Sequence, residues 1–163
     1  MDFKLSSEQE LIKQTASDFA REELLPGVID RDQNKIWPTN QIAKMADLGF
    51  MGMMVSESFG GSGLDTISYC IAMEEISKVD ASAGVIMSVN NSLVCYLIQK
   101  FANYEIKKKY LPELAKGEKL GAFSLSEPQS GSDASNMNTH ATIDGDNYII
   151  NGTKNWVTNG INS

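Results

Sequence analysis

Apolar positions recur at helical spacing through the first two-thirds of the chain and at strand spacing in the last third. Leu11, Ile12, Thr15, Ala16, Phe19 and Ala20 return every three or four residues. They follow a Ser6 and Gln9 capping box and precede Pro26-Gly27, which predicts an amphipathic first helix. Thr39 or Asn40 offers a cap for a second helix carrying Ile42, Met45, Ala46 and Leu48, with Gly49 placed for its left-handed end. Gly60-Gly61-Ser62-Gly63 then reads as a flexible connector. A third helix is expected from near Asp65, carrying Ile67, Cys70, Ile71 and Ile76. The fourth carries Val85, Ile86, Val89, Leu93, Val94, Leu97, Ile98 and Phe101, apolar enough to be largely buried. Residues 103–114 add a short helical segment interrupted or restarted at Pro112, and Gly117 supplies a stop.

From Ala122 the period changes. Asp144-Gly145 should join residues 139–143 to residues 147–151 as a hairpin. The run Phe123-Ser124-Leu125-Ser126-Glu127-Pro128-Gln129-Ser130-Gly131-Ser132-Asp133 reads as a strand ending in a tight loop with backbone donors able to hold an anion or a polar ring edge. In Lys154-Asn155-Trp156-Val157-Thr158-Asn159, a strand would set Trp156 and Thr158 on one face, one to stack and one to hydrogen-bond. The expected architecture is therefore α+β, an N-terminal all-α helical domain over 1–120 followed by the start of an antiparallel β-barrel-like domain over 121–163. The Asn159-Gly160 turn is followed by only three residues, so its strand would lack a sequence-adjacent partner and the chain reads as the front part of a longer protein.

Composition narrows the function classes. With 163 residues and 42% hydrophobic content the chain can bury a core, and a net charge of -7 disfavours a phosphate-backbone partner, so no nucleic acid is expected. Lys107-Lys108-Lys109 reads as a solvated helix face. Asn90, Asn91, Ser92 and Gln99 interrupt the most apolar run and would each need an internal partner in lipid, which argues against a membrane span. Cys70 and Cys95 are far apart and lie in apolar stretches, as buried reduced thiols would. No signal-peptide core opens the sequence, so a cytoplasmic location is the simplest expectation, with a processed organellar matrix protein the alternative. His140 is the single histidine, so no metal site is expected, and a Ser132, Asp133 and His140 hydrolase lacks any nucleophile elbow.

The order of Gly60-Gly61-Ser62-Gly63, Glu74-Glu75, Asp80-Ala81-Ser82, Lys109-Tyr110-Leu111-Pro112, Ser126-Glu127-Pro128, Gly131-Ser132-Asp133 and Asn151-Gly152-Thr153-Lys154 resembles the N-terminal half of an acyl-CoA dehydrogenase. Leu125-Ser126-Glu127-Pro128 is most similar to the short-chain, or butyryl-CoA, members. The resemblance implies FAD bound by Phe123, Ser124, Leu125, Ser126, Glu127, Pro128, Gly131 and Ser132 together with Trp156, Val157 and Thr158. It further implies an acyl-CoA substrate touched by Ser132, an acyl chain bordered by residues 88–97, electron transfer flavoprotein as acceptor, and a homotetramer. The family's catalytic glutamate matches no position here, so the chain alone is expected to be inactive. An acyl-CoA oxidase or flavin monooxygenase of the same superfamily, or a truncated paralogue acting as an interaction module, are the alternatives.

Overall fold

The computed structural model describes residues 4–163. Helix α1 (Ser7–Phe19) starts as the sequence predicts: Ser6 Oγ accepts from Gln9 N at 3.2 Å, and Gln9 Oε1 accepts from Ser6 N at 3.0 Å. It runs on through a π-helical turn, Ala20–Leu24. Pro26-Gly27 does not open a connector. A further helix, α2 (Val28–Asn34), follows directly with no buried residue, so there was no apolar period to read. Then come α3 (Thr39–Asp47) and α4 (Thr66–Val79), the latter capped by Asp65, whose carboxylate accepts from Ser68 N at 2.7 Å. The longest helical run, Ala81–Phe101, comprises α5 (Ala81–Ser88), a π-helical stretch (Val89–Cys95) and α6 (Tyr96–Phe101). Helix α7 (Tyr104–Ala115) passes through Pro112 without interruption, contrary to the expected restart, and ends at Gly117 with φ 67°.

One core gathers Phe19 and Leu24 from the first helix and its π-helical turn, Met45, Phe50, Met51 and Met53 from α3 and its exit, and Ala72, Ile76, Ile86 and Met87. Phe19 and Phe50 meet edge to face at 6.0 Å. A second cluster joins Val55, Cys95, Leu111, Leu114 and Ala115. The glycine-rich stretch is no flexible connector. Ser62 N, Gly63 N and Leu64 N donate to Gly52 O, Val55 O and Met53 O, and a Cβ on Gly61 would stand 2.2 Å from Val55 O. Arg31 ties α2 to the corner between α4 and α5, donating to Asp80 Oδ2 at 3.1 Å while Asp80 Oδ1 caps α5 at Ala83 N.

Two burial expectations fail. On α4 the inward face is Ser68, Tyr69, Ala72, Glu75 and Ile76, which leaves Cys70 exposed, together with Ile67. The run Ala81–Phe101 is long and apolar enough to cross a membrane by length and composition, yet it is neither wholly buried nor free of internal polar partners. Val85, Leu93, Tyr96, Leu97 and Phe101 form its exposed side, Phe101 to 71%. Asn90, Asn91 and Gln99 meanwhile donate to backbone carbonyls of residues 50, 51, 54, 87 and 114. The two cysteines therefore differ: Cys95 is buried, which pushes its thiol up to about 12, whereas Cys70 faces solvent. Iodoacetamide should label Cys70 in the folded chain and reach Cys95 only after denaturation; native labelling of Cys95 would contradict this packing.

After Gly117 come a single 3-10 turn (Ala134–Asn136) and two strands, β1 (His140–Asp144) and β2 (Asn147–Asn151), antiparallel with Asp144 opposite Asn147. The turn is thus Gly145-Asp146, one residue later than predicted, with Gly145 at φ 59° in the position that needs it. The protein is an all-α body followed by irregular segments and this hairpin.

Candidate functional site

Residues 122–126 do not form the strand that their alternation predicts, and neither do Trp156 and Thr158 lie on one. They lie on two irregular segments joined by side-chain and backbone bonds. Asn155 N donates to Ser126 O at 2.8 Å, and Lys154 Nζ to Leu125 O at 2.9 Å. The absence of a ladder has a local cause at Trp156, whose φ of 58° is left-handed and incompatible with a strand.

The first segment closes at Glu127, whose N–H donates to Ser130 O at 2.8 Å while Ser130 N donates to Glu127 O at 3.1 Å. Ser130 Oγ then donates to Asp133 O. The Glu127 carboxylate is turned inward, its side chain 2% exposed. It accepts from Lys154 Nζ at 2.8 Å, Asn138 N at 2.6 Å, Thr139 N at 3.0 Å and Gln129 Nε2 at 2.6 Å. Lys154 first, then the hydrogen bonds from Thr139 and Asn138, hold its pKa well below the usual carboxylate range. Glu127 is a strut between three segments, so any contact it makes with a ligand falls to its backbone. Because its pKa is depressed, its stabilising effect is complete above the ordinary value of 4.5 and is lost as pH falls from there through the depressed value. The melting temperature should therefore drop on acidification below 4.5 in the native protein. It should drop less steeply in Glu127→Gln; parallel pH profiles would remove Glu127 as the cause.

Around this strut the remaining residues stay open. Ser124, Leu125, Pro128, Gly131 and Ser132 are exposed, Phe123, Ser126, Val157 and Thr158 are half-buried, and nothing lies within 4 Å of where a Cβ on Gly131 would stand. The Trp156 indole is 92% exposed. It is no core aromatic. Ser132, Asp133 and His140 do not converge: Ser135 Oγ, not Ser132, donates to Asp133, and His140 Nδ1 lies 3.1 Å from Asn138 O. No local pattern in the sequence announces the side-chain roles of Lys154 and Asn159.

Residues 6–118 match the family model for the acyl-CoA dehydrogenase N-terminal domain, and residues 122–163 match that for the acyl-CoA dehydrogenase middle domain. The chain belongs to the acyl-CoA dehydrogenase family. It is 45% identical over 160 residues to the short-chain specific acyl-CoA dehydrogenase of Clostridium acetobutylicum, covering 98% of this chain and 42% of that protein. Among solved structures it is similar to butyryl-CoA dehydrogenase from Megasphaera elsdenii, with a TM-score of 0.93 and 39% identity over 100% of this chain and 44% of that one. It is also similar to a chain in a structure described as the electron transferring flavoprotein of Acidaminococcus fermentans, with a TM-score of 0.94 and 46% identity. That match covers 98% of this chain and 42% of the other. This acyl-CoA dehydrogenase chain thus spans about two-fifths of the length of the relatives it matches.

Proposed function

We propose that the chain provides the helical domain, 1–120, and the opening of the middle domain, 121–163, of an FAD-dependent enzyme that converts a short acyl-CoA to its trans enoyl thioester. Electron transfer flavoprotein is the proposed acceptor and a homotetramer the proposed assembly. The observation that carries the reading is the 45% identity to a short-chain specific dehydrogenase, which runs through both candidate segments. A location in the cytoplasm accompanies it.

The residues present fit the cofactor. A flavin needs a flat apolar cover and donors along a polar edge. Trp156 offers an exposed indole, Ser126 and Thr158 offer half-buried hydroxyls, and Gly131 and Ser132 offer an open turn. Bound FAD would supply the acceptor for the hydride leaving the β carbon. The chain's own part would then be to hold and cover: Trp156, Val157 and residues 123–126 would hold the cofactor, Thr158 and Ser126 would donate hydrogen bonds, and Ser132 would meet the acyl-CoA. Leu93 and Leu97, exposed on the long helix, suit an acyl chain. Glu127 cannot take the α proton, because four donors occupy its carboxylate and lower its basicity. The 163 residues alone are therefore expected to turn over no acyl-CoA.

Anaerobic titration with FAD and then butyryl-CoA, followed by flavin absorbance, tests the reading in the protein as its gene encodes it. Flavin uptake and bleaching by butyryl-CoA are expected; a protein that takes up no flavin would overturn it.

A further inference from the structure

Both segments of the candidate site are tied together at Gly121, which is itself anchored on the helical body. Gly121 stands two residues before Phe123, and its N–H donates to Asn90 Oδ1 at 2.8 Å. Its carbonyl accepts from Asn159 Nδ2 at 3.0 Å, and the same Nδ2 lies 3.5 Å from Ile86 O. Asn90 in turn donates to Met51 O at 2.8 Å and Leu114 O at 3.0 Å, so the chain of amides ends in the two hydrophobic clusters. Asn90 and Asn91 lie on the π-helical stretch Val89–Cys95, and both are buried. Gly121 cannot drift towards that helix carrying a side chain, since a Cβ there would stand 2.6 Å from Val94 Cβ.

Asn159 is buried to 5% exposure at φ 66°, and its two nearest polar neighbours are carbonyl oxygens. Few residue types satisfy both conditions. Asparagine tolerates the left-handed region better than any non-glycine residue but aspartate, and aspartate would bring an anionic acceptor against two acceptors. The other half of the amide, Oδ1, has no protein partner although it is buried, so the side chain is held by its donating half alone. Thr158 precedes Asn159 directly and Trp156 lies three residues before it.

We propose that Asn159 is a positioning residue: through its bond to Gly121 O it sets the Trp156 and Thr158 wall of the flavin site in register with the wall that begins at Phe123. The inference rests on the flavin reading above and adds the device that keeps the two walls apart by a fixed distance. It predicts that loss of the amide loosens flavin binding while the helical core stays intact.

The test uses the protein as its gene encodes it, stripped of flavin, in three forms: unaltered, Asn159→Gly, which keeps the left-handed backbone but loses the donor, and Asn159→Asp. FAD binding is measured by fluorescence titration and backbone order by hydrogen exchange. Both variants should bind FAD about tenfold more weakly or worse, as the loss of a buried amide bond implies. Amides of residues 155–160 should exchange faster, with those of α4 and α7 unchanged. Unchanged FAD affinity in Asn159→Gly overturns the proposal, and so does faster exchange without loss of affinity, which would mark a structural role alone. Failure of the unaltered protein to take up FAD is visible in the control and sinks the flavin reading itself.

Discussion

Replacing Asn90 with alanine should be the most damaging single substitution in the helical body. Asn90 has no exposed surface, and it donates to Met51 O and Leu114 O and accepts from Gly121 N. Alanine deletes all three bonds in a buried interior where, among the described residues, no other protein group accepts from Gly121 N. An orphaned buried polar group costs about 1–3 kcal/mol, so the total is on the order of 3–5 kcal/mol, with Leu114 O partly spared because Gly117 N also donates to it. A domain of this size has roughly 5–15 kcal/mol in hand, and its midpoint should fall by about 10 °C. Asn90→Asp should also be severe, since it keeps the acceptor for Gly121 but loses both donors. Thermal unfolding followed by circular dichroism decides it; a shift within experimental scatter would mean that the amide network contributes little.

The second large effect is on binding and not on folding. Trp156→Ala removes a side chain with almost no protein contact, so the melting temperature should stay where it is, as for most exposed substitutions. Flavin retention should collapse. An indole stacked on a flat ring contributes its buried area and a further 0.5–1.5 kcal/mol or so from ring geometry, together worth roughly ten- to a hundredfold in affinity. Fluorescence titration of FAD against the native and substituted proteins separates the two effects. Equal affinities would show that the exposed indole serves some other surface, whereas a large loss of stability would show that it packs inside after all.

The helical half could be read where local chemistry is self-sufficient. Ser6 with Gln9, Asp65 three residues before Ser68, and Gly117 after α7 each announce a helix end without help from the rest of the chain. Helix α2 escaped because no face of it is buried, and helical periodicity is a record of burial. The orientation of α4 and the open side of the long helix escaped for the opposite reason. Ile67, Leu97 and Phe101 are apolar but unburied among the described residues, and hydrophobicity alone does not say which surface meets them. In the candidate site, the expected backbone differs from the one observed. Trp156 and Thr158 alternate as a strand would, and nothing in the letters betrays a left-handed tryptophan. The roles of Glu127 and Asn159 depend on Lys154 and Gly121, partners 27 and 38 residues away, which no local pattern can pair.

That left-handed tryptophan also bears on how the protein would respond to engineering. Outside glycine, asparagine and aspartate such a backbone costs about 1–2 kcal/mol, and Trp156 carries it with almost no packing in return among the described residues. A library screened for heat resistance alone would therefore favour glycine at 156, and would discard the very indole that the proposed flavin site calls for.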